Sequence, residues 1–162
     1  MLIKVMLVDD HTVLRDGLNT IISQEQDMEV IGEATNGREL LRNLSTINPD
    51  VIVMDINMPE QSGIELTSII KKKYTKIKVL ILTMFKHDEY FLSAIKEGAD
   101  GYLLKDSPSE LVVDAIRTIA KGESVIHPSM TKKLLSFHQK DRKPEENQLT
   151  DREREVLLCL VE

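Results

Sequence analysis

Asp9 and Asp10 stand side by side in MLIKVMLVDDH, directly after an apolar run that stops at Val8. Two adjacent carboxylates repel each other, and they are tolerated where water, a helix N-terminus or a cation offsets them. Three of the other apolar runs also end on reactive side chains. VIVMDINMP ends its run at Asp55, VLILTMF at Thr83 and GYLLKD at Lys105, whereas the second run ends blandly at Ala34 and Thr35. Three carboxylates gathered within a few ångströms cannot all stay ionised without a cation. A hard divalent ion with oxygen ligands, most plausibly Mg²⁺, meets that need, because it keeps several waters and binds through one or two carboxylates plus phosphate oxygens. A carboxylate can also act as a nucleophile and form an aspartyl phosphate. Asp55, central in the set, is the candidate nucleophile. Lys105 would counter the incoming phosphoryl charge, and Thr83 would donate a hydrogen bond to a phosphoryl oxygen. Phosphoryl transfer needs little else, since it depends mainly on positioning and charge.

Such a set works only if the fold brings these run ends together. The apolar runs Ile3–Val8, Glu29–Ala34, Val51–Met54, Val79–Leu82 and Gly101–Leu104 are short, continuous and rich in Val, Ile and Leu, as in strands buried on both faces. Between them lie segments with helical spacing: Leu14, Leu18, Ile21 and Ile22, then Leu40, Leu41 and Leu44, then Ile64, Leu66, Ile69 and Ile70. Phe91, Leu92 and Ile95 follow, then Leu111, Val112, Ala115, Ile116 and Ile119. Gly98 and Gly122 read as helix stops, and Ser107-Pro108 reads as a start, with serine at the N-cap and proline at the first helical position. Strict strand–helix alternation predicts an α/β, doubly wound five-stranded parallel sheet with helices on both faces. Ligands in such sheets bind beyond the carboxyl ends of the strands at the switch point. Strand order 2-1-3-4-5 would make strands one and three neighbours there, and the three carboxylates would converge.

The 162 residues suffice for one domain plus a remnant. A hydrophobic content of 41% with 30% charged residues is that of a globular protein, and the net charge of −6 argues against a chain that grips nucleic acid by itself. A single cysteine, Cys159, excludes an internal disulfide. No stretch approaches the ~20 apolar residues of a membrane span, and no signal-peptide pattern opens the chain. The expected setting is the cytoplasm. After Gly122 the pattern changes. Residues 123 to 133 are expected to form a short amphipathic helix, and SFHQKDRKPEENQ reads as a linker. In LTDREREVLLCLVE, Thr150 and Glu153 form a capping box ahead of the apolar stripe Val156, Leu157, Leu160 and Val161. The expectation is a helix of a second domain, cut short.

VDDH, then D-x-N-M-P-x-x-x-G from Asp55 to Gly63, then Thr83 and Lys105, resemble the receiver domain of two-component response regulators. The resemblance covers residues 1 to about 122. The ending LTDREREVLLCLV resembles the opening helix of a LuxR-type helix-turn-helix domain, and together they resemble the NarL/FixJ subfamily. The resemblance implies a flavodoxin-like receiver at 1–122, a linker at 123–148 and the beginning of a DNA-binding domain at 149–162. It implies that Asp55 accepts phosphate from a sensor histidine kinase, that Asp10 binds Mg²⁺ directly with help from Asp9, and that Asn57 offers its backbone carbonyl to the metal. Lys105 then contacts the phosphoryl group, Thr83 moves toward it, and Tyr102 swings inward as a rotameric switch. The implied output is a phosphorylation-dependent homodimer that regulates transcription through promoter DNA, bound by the full-length C-terminal domain and not by this fragment. The sequence departs from the pattern at Asp106, where many receivers carry a proline, and at Gln61-Ser62.

Blander readings stand beside these. Asp9 and Asp10 also read simply as caps of the helix that starts near His11. Thr83 is also an ordinary strand-end residue, Lys105 a solvated surface lysine and Tyr102 a half-buried aromatic. His11, His87, His127 and His138 lack metal-ligand spacing, which favours surface roles, and Cys159 falls on the last apolar stripe as a core residue. A haloacid-dehalogenase-type phosphatase also uses an aspartate nucleophile with Mg²⁺, but its general acid two residues on is Asn57 here. An unphosphorylated pseudo-receiver would have lost an acid or the lysine. Neither G-x-G-x-x-G nor G-x-x-x-x-G-K-[ST] occurs, which disfavours nucleotide-binding versions of the fold.

Overall fold

The computed structural model describes residues 2–58, 61–84 and 88–126. The elements alternate as the apolar runs require: β1 (Ile3–Val8), α1 (Thr12–Ser23), β2 (Met28–Ala34), α2 (Gly37–Asn43), β3 (Val51–Met54), α3 (Gly63–Lys73), β4 (Lys78–Thr83), α4 (Asp88–Lys96), β5 (Gly101–Leu104), α5 (Ser109–Ala120) and β6 (Val125–Ile126). The sheet order is β2-β1-β3-β4-β5-β6, with every neighbouring pair parallel. The expected five-stranded order 2-1-3-4-5 is therefore present, with one short strand added at the edge.

The unbroken hydrophobicity of the strands follows from their two covered faces. Met6, Val8, Ile52, Met54, Val79, Ile81 and Tyr102 point into one core with Leu40, Leu66, Ile70, Phe91 and Ile95 of α2, α3 and α4. Their alternating neighbours Val5, Leu7, Val51, Val53, Leu80, Leu82 and Leu103 point into a second core with Leu18 and Ile22 of α1 and Val112, Ile116 and Ile119 of α5. The strand residues of β1, β3, β4 and β5 are thus almost all withdrawn from water, worth roughly 1.5–3 kcal/mol for a large aliphatic side chain, while edge strand β2 is buried mainly at its two ends.

Gly98 and Gly122 end α4 and α5 with φ of 99° and 97°. Each closes its helix in the same way. The Gly98 and Gly122 amides donate to Ile95 and Ile119, and the next residues, Ala99 and Glu123, donate to Ala94 and Thr118.

Two local expectations need correction. α5 starts one residue late: Pro108, not Ser107, is the N-cap, with ψ of 145° and no side-chain cap. The Pro108 carbonyl accepts from the amides of Leu111 and Val112, which sets the helix start. The segment expected to open a helix at 123 instead contributes Val125–Ile126 to the sheet as β6, paired with Gly101 and Tyr102. An apolar dipeptide covering the open edge of β5 satisfies backbone groups that a helix there would leave bare. The linker, the capping box at Thr150 and Glu153, and Cys159 lie outside the described residues, as do His87, His127 and His138.

Candidate functional site

The carboxyl end of β1 sits between β2 and β3, so its last residues meet the ends of both. The Asp9 amide donates to the Ala34 carbonyl at 3.1 Å, which extends the ladder one residue past β1. The Asp55 amide does the same toward the Val8 carbonyl, also at 3.1 Å. On the far side, the Lys105 amide donates to the Thr83 carbonyl at 2.7 Å, tying the end of β5 to that of β4. The strand ends named by the sequence thereby form one row.

Lys105 is the centre of the charge arrangement. Its ammonium lies 2.9 Å from Asp9 Oδ2 and 3.1 Å from Asp55 Oδ2, and all three side chains are at most 8% exposed. The remaining Asp9 oxygen, Oδ1, accepts from the His11 amide at 2.8 Å and lies 2.9 Å from His11 Nδ1. His11 Nδ1 also stands 3.3 Å from Asp10 Oδ1. Asp55 Oδ1 accepts from the Asn57 amide at 3.3 Å. Burial pushes the Asp55 carboxyl above its ordinary range. Lys105 opposes that rise, and the neighbouring Asp9 charge adds to it.

The helix-cap reading of the acidic pair does not describe this geometry. His11 is the N-cap of α1 and makes no side-chain cap hydrogen bond. The Asp9 carboxylate turns back on His11 and across to Lys105 instead.

The donor atoms of Asp9, Asp10, His11 and Asp55 lie within 4.8 Å of one another. Three carboxylates with one ammonium between two of them carry excess negative charge, and the donors are hard oxygens, which fits a divalent cation such as Mg²⁺. Asp10 is the exposed member of the three, so it faces the side from which an ion would arrive.

The glycine of the D-x-N-M-P-x-x-x-G stretch has a backbone reason. A Cβ on Gly63 would fall 2.2 Å from the Asp55 carbonyl oxygen. The Gly63 amide donates to the Ile56 carbonyl at 2.8 Å, and Ser62 caps α3 by accepting from the Glu65 amide at 3.2 Å. The chain thus folds back over Asp55 and fixes it.

Thr83 is fully buried at the last position of β4. Tyr102 is fully buried too, inside the core under α4, with its ring edge-on to Phe91 at 5.2 Å. That burial, more than the nearby Tyr90, raises the Tyr102 phenol above its ordinary range. The half-buried reading of Tyr102 is therefore replaced by an inward one. Asn57 is exposed at the edge of the cluster, and Met84, 72% exposed, stands over a recess lined by Leu104, Lys105 and Asp106. No cis peptide occurs among the described residues, Asp106 included.

Sequence reasoning undervalued His11, whose side chain is 59% exposed but whose Nδ1 belongs to the cluster. Its place directly after the acidic pair, in the turn from β1 to α1, was the available signal.

The response regulator receiver domain pattern matches residues 5–117. The response regulator protein VraR of Staphylococcus aureus is 38% identical over 161 residues, spanning 99% of this chain and 77% of that protein. A LuxR-family two-component response regulator from Aurantimonas sp. superposes with a TM-score of 0.81 at 31% identity, covering 86% of this chain and 99% of that one. The response regulator ChrA of a heme-sensing two-component system gives 0.67 at 37% identity, covering 99% and 75%. A LuxR-family DNA-binding response regulator from Staphylococcus aureus gives 0.70 at 32% identity, covering 74% and 99%. With its sheet order, its acidic strand ends and these relatives, the chain belongs to the response regulator receiver family, among the LuxR-type regulators of two-component systems.

Proposed function

We propose that the protein is a phosphoacceptor switch in which Asp55 takes a phosphoryl group from the phosphohistidine of a sensor histidine kinase. The observation that carries this reading is the buried Asp55 carboxylate, bridged by Lys105 to Asp9 at the end of the central strands. An Asp55 oxygen attacks phosphorus and forms the new O–P bond while the P–N bond of the donor breaks. The electron pair of that bond leaves on the imidazole nitrogen, which takes up a proton.

Asp9, Asp10, Asp55 and the Asn57 backbone carbonyl would hold Mg²⁺, which when bound supplies positive charge to the phosphoryl oxygens. Lys105 already contacts Asp55 and stays beside the transferred group as a fixed countercharge. Asp55 is held by its own amide and by the Asn57 amide, so little reorganisation is needed before attack. With Asn57 two residues beyond the nucleophile, no carboxylic acid stands there to protonate a leaving group, and the chain works as a switch rather than as a phosphatase.

The transferred group adds about −1.5 to −2 charges at neutral pH. Thr83 moves toward it and donates to it, with Tyr102 held in its inward position, biasing the surface formed by α4, β5 and α5. The receiver would comprise residues 1–122 together with the edge strand Val125–Ile126, the residues that follow up to 148 would connect it, and residues 149–162 would open a LuxR-type DNA-binding domain. Dimerisation and promoter binding by the full-length regulator are the output.

Incubation with acetyl phosphate and MgCl₂, followed by intact-mass measurement, tests this. The expected product is a base-labile adduct of one phosphate on the natural sequence and none on Asp55→Asn. Absence of the adduct, or its formation on Asp55→Asn, overturns the assignment.

A further inference from the structure

The acidic pair is held from behind by a cation that the phosphoryl chemistry does not use. Arg15, at the end of the first turn of α1, donates from Nη1 to the Asp9 carbonyl oxygen at 2.6 Å. Its Nε lies 3.2 Å from Glu33 Oε1, on the penultimate residue of β2. Both of these atoms are buried without a hydrogen-bond partner, so the ion pair compensates their loss of water. The Arg15 side chain is only 12% exposed.

Asp9 is thereby gripped along its backbone from both sides. Its amide goes to Ala34 on β2, and its carbonyl goes to Arg15, which is itself fixed on β2 through Glu33. Among the described residues, Asp10 has no such backbone anchor of its own. It follows Asp9 in the chain, and its position over the cluster depends on where the Asp9 peptide is held. We infer that Arg15 is a positioning residue for the cation site: the Arg15–Glu33 pair clamps the β1–α1 turn so that Asp9 and Asp10 present their oxygens to a divalent ion. The clamp rests on the reading that these acids hold Mg²⁺.

Electrostatics and positioning predict opposite signs, which makes the clamp testable. Arg15 is a cation near the site, so its bare charge disfavours a second cation, and deleting it would tighten Mg²⁺ binding if charge were its only contribution. A clamp predicts the reverse. Partners that orient metal ligands typically contribute about 10–100-fold in metal affinity.

Mg²⁺ binding to the chelator-stripped chain is measured by isothermal titration calorimetry, with thermal unfolding in EDTA to establish that each variant is folded. Arg15→Met keeps the apolar stem and is expected to weaken Mg²⁺ binding about tenfold or more. Arg15→Lys keeps the charge but cannot span both Asp9 and Glu33, so any weakening in it is positional; an intermediate loss of a few-fold is expected. With acetyl phosphate, the Mg²⁺ concentration at half-maximal labelling should rise in Arg15→Met, while the rate at saturating Mg²⁺ stays within about twofold of the natural chain. Unchanged or tighter Mg²⁺ binding in both variants overturns the clamp. Failure of the natural chain to bind Mg²⁺ at all overturns the metal reading itself, and is recognised before any variant is compared.

Discussion

Replacing Lys105 with methionine removes the ammonium that lies 2.9 Å from Asp9 and 3.1 Å from Asp55 while keeping a side chain of similar length. At an effective dielectric near 20, a unit ion pair about 3 Å apart attracts by roughly 5 kcal/mol, and Lys105 makes two such contacts. Desolvation of three groups that are at most 8% exposed offsets much of this gross attraction. What remains on breaking a buried pair is a loss of about 3–5 kcal/mol, because the carboxylates left behind stay buried and uncompensated. In a chain of this size that corresponds to a fall of roughly 10 °C in Tm.

The direction of the pH dependence follows from Asp55. Its folded-state carboxyl already titrates above its ordinary 3.8 because of burial, and Lys105 is the main opposing influence. Without Lys105, only the Asn57 amide still opposes burial and the Asp9 charge, and the value rises further. A folded state that holds its proton more tightly than the unfolded chain gains stability as pH falls through the raised value toward 3.8. The deficit of Lys105→Met should therefore be largest at neutral pH and shrink on acidification. Added Mg²⁺ should stabilise the variant by about 2.7 kcal/mol at a hundredfold excess over its Kd if it does not bind the unfolded chain, and it narrows the deficit only to the extent that the variant, one cation poorer, binds Mg²⁺ more tightly than the natural chain. Circular dichroism melts in EDTA and in MgCl₂, from pH 7 down to pH 5, read all of this. A variant that melts within about 2 °C of the natural chain in EDTA at pH 7 would show that the ammonium does not balance the two acids.

Two further outcomes are expected. Asp10→Ala removes an exposed carboxylate from the cluster, so Mg²⁺ affinity by calorimetry should drop by at least about tenfold, while the melting temperature in EDTA moves by less than about 2 °C. Gly17 is exposed in the middle of α1 with open space where a Cβ would go, so Gly17→Ala should stabilise by about 0.5–1 kcal/mol and raise Tm by about 2–4 °C, with Mg²⁺ binding unchanged.

The parts of the fold that were legible are those where one residue decides one position. A Val-, Ile- or Leu-rich run is covered on both faces, so its continuity reports burial directly, as Val51 to Met54 show by splitting between the two cores. Asp9, Asp55, Thr83 and Lys105 were legible because each interrupts such a run at its carboxyl end, where topology alone gathers them. What was hidden depends on partners distant in sequence or on too few residues to carry a period. Val125–Ile126 is a strand only because β5 offers an edge. Arg15 and Glu33 meet only once α1 is folded back over β2. The need for glycine at position 63 lies in the approach of the Asp55 carbonyl, which no local pattern reveals.

The two acids that end β1 are chemically identical and adjacent, yet the fold makes them unequal. The parallel ladder continues one residue beyond the strand, through the bond from the Asp9 amide to Ala34. That residue's carboxylate is consequently carried into the interior, where Lys105 and the His11 amide each take one of its oxygens. Asp10 lies past the end of the ladder and keeps its contact with water. One aspartate is thus built into the protein by bonds to three other elements, and the other is left to respond to what arrives. Fixed cations offset part of the repulsion, Lys105 shared between Asp9 and Asp55 and Arg15 behind the Asp9 peptide, and the excess negative charge they leave, Asp10's included, is what a mobile ion would neutralise.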